Sequence, residues 1–231
     1  MEYLAQKEMQ PPILWLHIIS GTLALISGLI SLLVSKGGEV HKNSGRIFFY
    51  SILTLAITSG FLSIIKENSF LFLVAVFTFY LNLSGSLFIK KLNRHKIGFA
   101  DFTGITTSIL LTFYLISLSV YSLITLQTDK PIFEIIKTSS VSALSSWLFF
   151  IILKDARLFF SSETFAPEQL LRHHIIRMVS AFISTVTAFF VVNVHITPAF
   201  IPWVVPGIAG SILINQYLKK HFPKNKPVNI S

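Results

Sequence analysis

The stretch that decides the fold is ILWLHIISGTLALISGLISLLV, from Ile13 to Val34. It carries no formal charge and a single histidine, His17. A bilayer's hydrocarbon core is about 30 Å thick, and roughly 20 apolar residues of helix cross it. The run therefore predicts a membrane-spanning helix. A secretory leader has a shorter apolar region of about 7–15 residues, a basic flank and a small-residue cleavage site. Here the flank sets Lys7 beside Glu2 and Glu8, and no such site follows.

Working outward, six more runs of the same kind follow. They are Ile47 to Ile65, Phe70 to Ile89, Phe102 to Leu126, Ile132 to Leu153, Met178 to Val194 and Trp203 to Leu218. The fifth span is the weakest, since Glu134 and Lys137 sit in its first turn and Ser139, Ser140, Ser142, Ser145 and Ser146 dilute it. The seventh is short, and Pro198, Pro202 and Pro206 are expected to break or kink its outer end. The expected fold class is all-α: one integral membrane domain over 1–231, a polytopic transmembrane bundle of seven helices.

Composition agrees. The chain has 231 residues, 52% hydrophobic and 13% charged, with a mean hydropathy of +0.69. A soluble domain of this size could not cover so much apolar surface. The 22 phenylalanines fall almost entirely within the apolar runs. Cysteine is absent, which excludes disulfides, thiolate metal sites and thiol catalysis.

The net charge of +9 would point to nucleic acid in a soluble protein; in a membrane protein it points to loop bias instead. One set of loops holds Lys36, Lys42, Arg46, Lys90, Lys91, Arg94, Lys96, Lys154, Arg157, Arg172, Arg177, Lys219, Lys220, Lys224 and Lys226. The other holds Lys7, Lys66, Lys130 and Lys137. The acidic residues divide evenly between the two sides. The positive-inside rule then places the N-terminus outside and the C-terminus in the cytoplasm of an inner membrane. The expected partners are the bilayer, anionic lipids at the cytoplasmic face, and a membrane-protein partner or second copy, with no nucleic acid.

Two stretches carry chemistry. The loop KGGEVHKNSGR, Lys36 to Arg46, is expected to turn at Gly37 and Gly38, with Ser44 as N-cap and Arg46 opening span two. Pro167, followed by Glu168, suits the first turn of a helix that enters the bilayer near Met178. These features place His41, Arg46, His173, His174, Arg177, Asp101 and Asp155 at one membrane level. Imidazoles there suit proton or metal work, and guanidinium groups suit phosphate or carboxylate. A second level, outside, holds His17 and His195, a candidate haem or metal pair. In span one, Gly21, Ala24, Gly28, Ser31 and Ser35 share His17's side of the helix, so that side is expected to face a neighbouring helix.

His41 to Arg46 followed by Ile47, Phe48 and Phe49, then Tyr80, Ser84 and Gly85, then RHHIIRMVSAFISTVTAFFVVN from Arg172 to Asn193 resemble a family of uncharacterised prokaryotic multi-pass membrane proteins, a domain of unknown function with an H-x3-G-R loop after its first helix. The likeness touches roughly residues 13 to 210. It implies about seven helices and no assigned activity. It directs attention to His41, Gly45, Arg46, His174, Arg177 and Asn193. Microbial rhodopsins need a lysine buried in span seven, where this chain has none; the zinc-dependent seven-helix hydrolases need an H-x3-H pair there, also absent.

Three functions remain open. The first is a non-catalytic accessory protein, scaffold or small carrier. The second is a b-type haem or quinone redox protein, pairing His17 with His195 and His41 with His173 or His174. The third is a cytoplasmic-face enzyme on a lipid head group or small anion, with His41 or His174 as base or metal ligand, Arg46 and Arg177 as clamps, and Asp101 or Asp155 orienting a histidine. The cofactors these residues suit are haem b or a divalent metal.

Overall fold

The computed structural model describes residues 12–65, 69–93, 98–124, 132–160, 165–198 and 200–222. Seven helices and no strand occur among them: α1 Pro12–Leu33, α2 Glu39–Ile65, α3 Ser69–Leu92, α4 Phe99–Ile124, α5 Ile132–Phe160, α6 Pro167–Asn193 and α7 Ile201–His221. Six of them, all but α5, are long and apolar enough to cross a membrane, so the chain is built as a multi-pass membrane protein. The exception is the span whose polar dilution marks it as weakest, yet it forms one continuous 29-residue helix. Of the charges counted above, Lys7, Lys66, Arg94, Lys96, Lys130, Lys224, Lys226, Glu2, Glu8, Glu67, Asp129 and Glu163 lie outside the described residues.

Local chemistry sets two of the helix starts. Span six begins at Pro167 as expected, with the proline in the first turn, where a missing N–H costs nothing. Span two begins earlier than expected. Gly37 takes φ 81°, the left-handed turn that glycine allows, and the Gly38 carbonyl accepts the first helical bond, from Lys42 N–H at 3.0 Å. Glu39 then sits in the first turn, favourable to the helix dipole. No proline or glycine falls between Glu39 and Ser44 to stop the helix. His41 and Arg46 are therefore helical, and Ser44 is not the cap. Its hydroxyl lies 2.7 Å from the Ser31 hydroxyl on α1 and donates to the Val40 carbonyl of its own helix. In α7, Pro202 falls in the first turn and Pro206 lies inside the helix.

The packing order is a ring with additions. α1 packs on α2, α2 on α3, α3 on α6 and α6 on α1, which closes a four-helix ring. The other side of α3 receives α4 and α5, while α7 packs on α6 alone among the described residues. Inside the ring Ala24, Phe48, Ile52, Leu81 and Ala181 are buried, with Met178 and Phe182 packed on them. Between α3, α4 and α5 lie Leu73, Val76, Tyr80, Leu115, Leu148 and Ile152.

Lipid is as apolar as leucine, so helices in a bilayer associate through close packing rather than hydrophobic exclusion. α1 accordingly buries Ser20, Ala24, Ser27 and Gly28 and turns Trp15, Ile19, Leu23 and Ile26 outward. A Cβ on Gly28 would stand 2.5 Å from the Phe182 ring of α6. Of the small residues read onto one face, Gly21, Ala24, Gly28 and Ser31 meet neighbouring helices, while Ser35 lies beyond the end of α1 and is exposed. Many buried hydroxyls are satisfied by a carbonyl one turn back in their own helix, as Thr112 is by Ser108 and Thr185 by Ala181.

Candidate functional site

The functional side chains gather where the C-terminal ends of α1, α3 and α5 meet the N-terminal ends of α2, α4 and α6. Three groupings occupy this basic end.

The first is a buried charge pair. Asp155, near the end of α5, is 1% exposed. Its Oδ1 accepts from Arg177 Nη2 of α6 at 2.9 Å, and its Oδ2 accepts from the Tyr80 hydroxyl of α3 at 3.0 Å. One carboxylate thus ties three helices. Asp155 serves Arg177 and Tyr80 rather than orienting a histidine: a carboxylate at this depth needs a permanent cation, and guanidinium is one. Arg177 Nε is buried with no hydrogen-bond partner, so one of its N–H groups is left over.

The second grouping is a pair of histidines on helices of the ring. His174 of α6 donates its Nδ1–H to the Gly85 carbonyl of α3 at 2.8 Å. His41 of α2 donates its Nδ1–H to the Ser31 carbonyl of α1 at 3.0 Å. A carbonyl can only accept, so both rings carry a proton on Nδ1, and in the neutral form each leaves Nε2 as a lone-pair donor. Gly85 allows the close approach of α6: a Cβ there would stand 2.7 Å from Met178 Sδ and 3.2 Å from Arg177 Cβ. Asn82, three residues away on α3 and fully buried, donates Nδ2 to the Phe49 carbonyl at 3.2 Å, while its Oδ1 has no hydrogen-bond partner.

The third grouping is structural. Lys90 of α3 pairs with Asp101 of α4, and the same carboxylate accepts the Gly98 N–H at 3.0 Å. Lys91 donates to the Leu158 carbonyl at the end of α5. Lys36 donates to the Ser31 and Leu32 carbonyls at the end of α1, at 2.9 and 2.6 Å. Partial burial against α1 holds the Lys36 ammonium below the usual lysine pKa.

The residues singled out by sequence therefore separate. Asp155 and Arg177 come together, whereas His41 and His174 each bond a carbonyl of a different neighbouring helix. His173 stacks on Phe88 of α3, 4.7 Å between ring centres. Asp101 belongs to Lys90. Arg46 is exposed, because five residues of helix turn it about 140° away from His41. At the far level, His17 bonds Thr58 of α2 at 3.0 Å, and His195 lies exposed just beyond the end of α6. Asn193 is exposed and donates to the Phe189 carbonyl of its own helix. Asn82 escaped the sequence reading, although an amide in the apolar run FYLNLSGSLF is itself a signal, since a polar group in hydrocarbon must find a partner. Among the described residues, no group of three or more His, Asp or Glu is arranged to hold a metal ion.

Compared with models of known protein families, with curated proteins and with solved structures, the chain matches none.

Proposed function

We propose that this protein is a non-catalytic inner-membrane protein, an accessory subunit or small carrier, with its N-terminus outside and its C-terminus in the cytoplasm. On this reading it belongs with the uncharacterised multi-pass family that its H-x3-G-R segment resembles. The observation that carries the reading is the mutual engagement of the polar groups at the basic end. Asp155 is held by Arg177 and Tyr80, and Asp101 by Lys90 and the Gly98 amide. Lys36 and Lys91 close helix ends. A head-group enzyme needs a clamp and an oriented base aimed at one point. Arg46 is turned away from His41, and both candidate carboxylates are engaged with cations instead of histidines.

The test compares membranes from cells with the wild-type chain, with no chain, and with His41→Ala and His174→Ala together. The expected result is one lipid profile in all three. A lipid that accumulates both in the deletion and in the double variant would establish turnover at the histidines and overturn the reading. A fluorescent-protein fusion at Ser231 tests the orientation: it is expected to fluoresce, and a dark fusion with a bright N-terminal counterpart would invert the topology.

A further inference from the structure

We propose that the outward face of α4 is an interface with a second copy of this chain, the two copies of α4 packing in parallel about a two-fold axis along the membrane normal. The inference stands on the surface of α4 and does not depend on the non-catalytic reading above.

α4 carries two seams of the same kind. Its buried residues are Asp101, Ile105, Ser108, Thr112, Leu115 and Ser119, alternately four and three residues apart. That is the heptad spacing with which a helix meets a neighbour along its whole length, and α4 packs on α3 and α5. Two residues beyond each of these come Thr103, Thr107, Leu110, Tyr114, Ser117 and Tyr121, with the same spacing. Two residues are about 200° of helix, so the second seam runs down the opposite side. Thr107, Leu110, Tyr114, Ser117 and Tyr121 are exposed there.

This outer seam is ill suited to lipid. The outward face of α1 is hydrocarbon, with Trp15, Ile19, Leu23 and Ile26 turned away from the bundle. On α4, five of the six outer-seam positions carry a hydroxyl. Tyr114 is the sharpest case. It is 56% exposed, and its hydroxyl has no hydrogen-bond partner among the described residues. It lies about 4 Å along the axis from the middle of α4, whereas the aromatic belts of a bilayer sit about 15 Å from its centre. An unpaired donor facing hydrocarbon is costly, and hydroxyls at this depth bond across helices.

The chemistry of the seam selects its partner. No charged residue lies from Phe102 to Ile124, so the seam calls for neither a cation nor a carboxylate. Two copies inserted in the same direction close as a pair only about an axis along the membrane normal, so each seam residue meets its own counterpart at the same depth. Identical groups satisfy each other only where each can both donate and accept. A hydroxyl does; an ammonium or a carboxylate does not. Ser117 gives its proton to the Phe113 carbonyl at 3.0 Å, and its oxygen can still accept. Leu110, between Thr107 and Tyr114 on the seam, supplies the apolar contact. A heptad seam packs at a crossing angle of about 20°, the commonest geometry in membrane bundles.

Two experiments on the full chain test this. The chain has no cysteine, so a single introduced one reports without background. In liposomes, Leu110→Cys and Ser117→Cys are expected to oxidise to dimers, and Leu23→Cys on the outward face of α1 is not. The second experiment counts labelled chains in liposomes by single-molecule photobleaching over a series of lipid dilutions. The variant combines Thr107→Val, Tyr114→Phe and Ser117→Ala. Each interhelical hydroxyl bond lost is expected to weaken the dimer about threefold, and the three together about twentyfold. The melting temperature is expected to stay that of wild type, because these side chains point away from their own bundle. Thr22→Val removes an exposed hydroxyl from α1 and is expected to leave the dimer unchanged. A wild type that is monomeric at every dilution would overturn the proposal. So would a triple variant that pairs as well as wild type, or cross-linking through Leu23→Cys as ready as through Leu110→Cys. In native membranes, a Leu110→Cys product with a chain of different mass, in place of the dimer, would assign the face to another protein and overturn the second copy.

Discussion

Removing Asp155 or Arg177 singly is expected to damage the fold far more than removing both. The side chain of Asp155 is 1% exposed and that of Arg177 14%, with Nη2 and Oδ1 2.9 Å apart. Breaking a buried pair by deleting one partner leaves an uncompensated charge and costs about 3–5 kcal/mol. Asp155→Leu strands the guanidinium and also takes the acceptor from the Tyr80 hydroxyl. Arg177→Met leaves the carboxylate buried with the Tyr80 hydroxyl and without its cation. For a chain of this length each kcal/mol corresponds to roughly 2–4 °C in melting temperature, so either single change is expected to lower it by about 6–20 °C. The double variant Asp155→Leu with Arg177→Met removes both charges, and replacing a buried pair by apolar groups is often near neutral. Its loss is expected to fall short of the sum of the singles by at least about 2 kcal/mol. Tyr80→Phe isolates the hydroxyl, whose bond to a charged acceptor contributes about 1.5–3 kcal/mol.

The assay is thermal unfolding in detergent followed by intrinsic fluorescence, for which Trp15, Trp147 and Trp203 are the reporters. Each variant is read against wild type, and the coupling follows from the cycle. A double variant that loses as much as the two singles added together would mean that the charges act independently. Asp155 would then not be the tie between α3, α5 and α6, and the reasoning would fail.

Two further outcomes test the packing. Gly85→Ala drives its new methyl into Met178 and is expected to cost about 1–3 kcal/mol, with Met178→Ala in the same chain recovering part of the loss; a Gly85→Ala protein as stable as wild type would deny the close approach of α3 and α6. Lys90→Gln removes a partner from the more exposed pair, where the lysine side chain is 42% accessible, so the melting temperature is expected to fall by no more than a change of about 1 kcal/mol produces; a loss as large as that of Arg177→Met would contradict the distinction between the two pairs.

The helices were legible in the sequence because a membrane span is a property of length and apolar content, and both are local. Even α5, diluted by serine, forms where the run from Ile132 begins. The buried face of α1 was legible for the same reason, since small residues at helical spacing fall on one side. The start of α2 was not. Gly38 and Ser44 are both plausible helix starts, and the choice fixes whether His41 is a loop residue or a helical one. Once it is helical, Arg46 must turn away from it, so one misplaced boundary joins two residues that the helix separates. The ties of Asp155 to Tyr80 and of His174 to Gly85 were not legible at all. They depend on α3 standing at the centre with α5 and α6 beside it, and that order is set by packing across the whole bundle.

The basic end shows how one bias in sequence has two physical consequences. Lysine and arginine concentrated on one side set the expected orientation. Five of those same residues also hold helix ends together there. Lys36 bonds the last carbonyls of α1, Lys91 does so for α5, Lys90 joins α3 to Asp101 of α4, and Arg172 lies 6.0 Å over the Phe222 ring just past α7. Arg177 goes deepest, to Asp155. The carbonyls at a helix C-terminus need donors and carry partial negative charge, so cations beside them are stabilised twice. Helices that end on the basic side therefore find their caps in the same residues that orient them. His41 and His174 differ from this set: they too bond backbone carbonyls, of α1 and α3, but each does so with one nitrogen and keeps the other. A carbonyl needs only the first nitrogen, and the second, left over on each ring, distinguishes these two residues from the lysines and arginines around them.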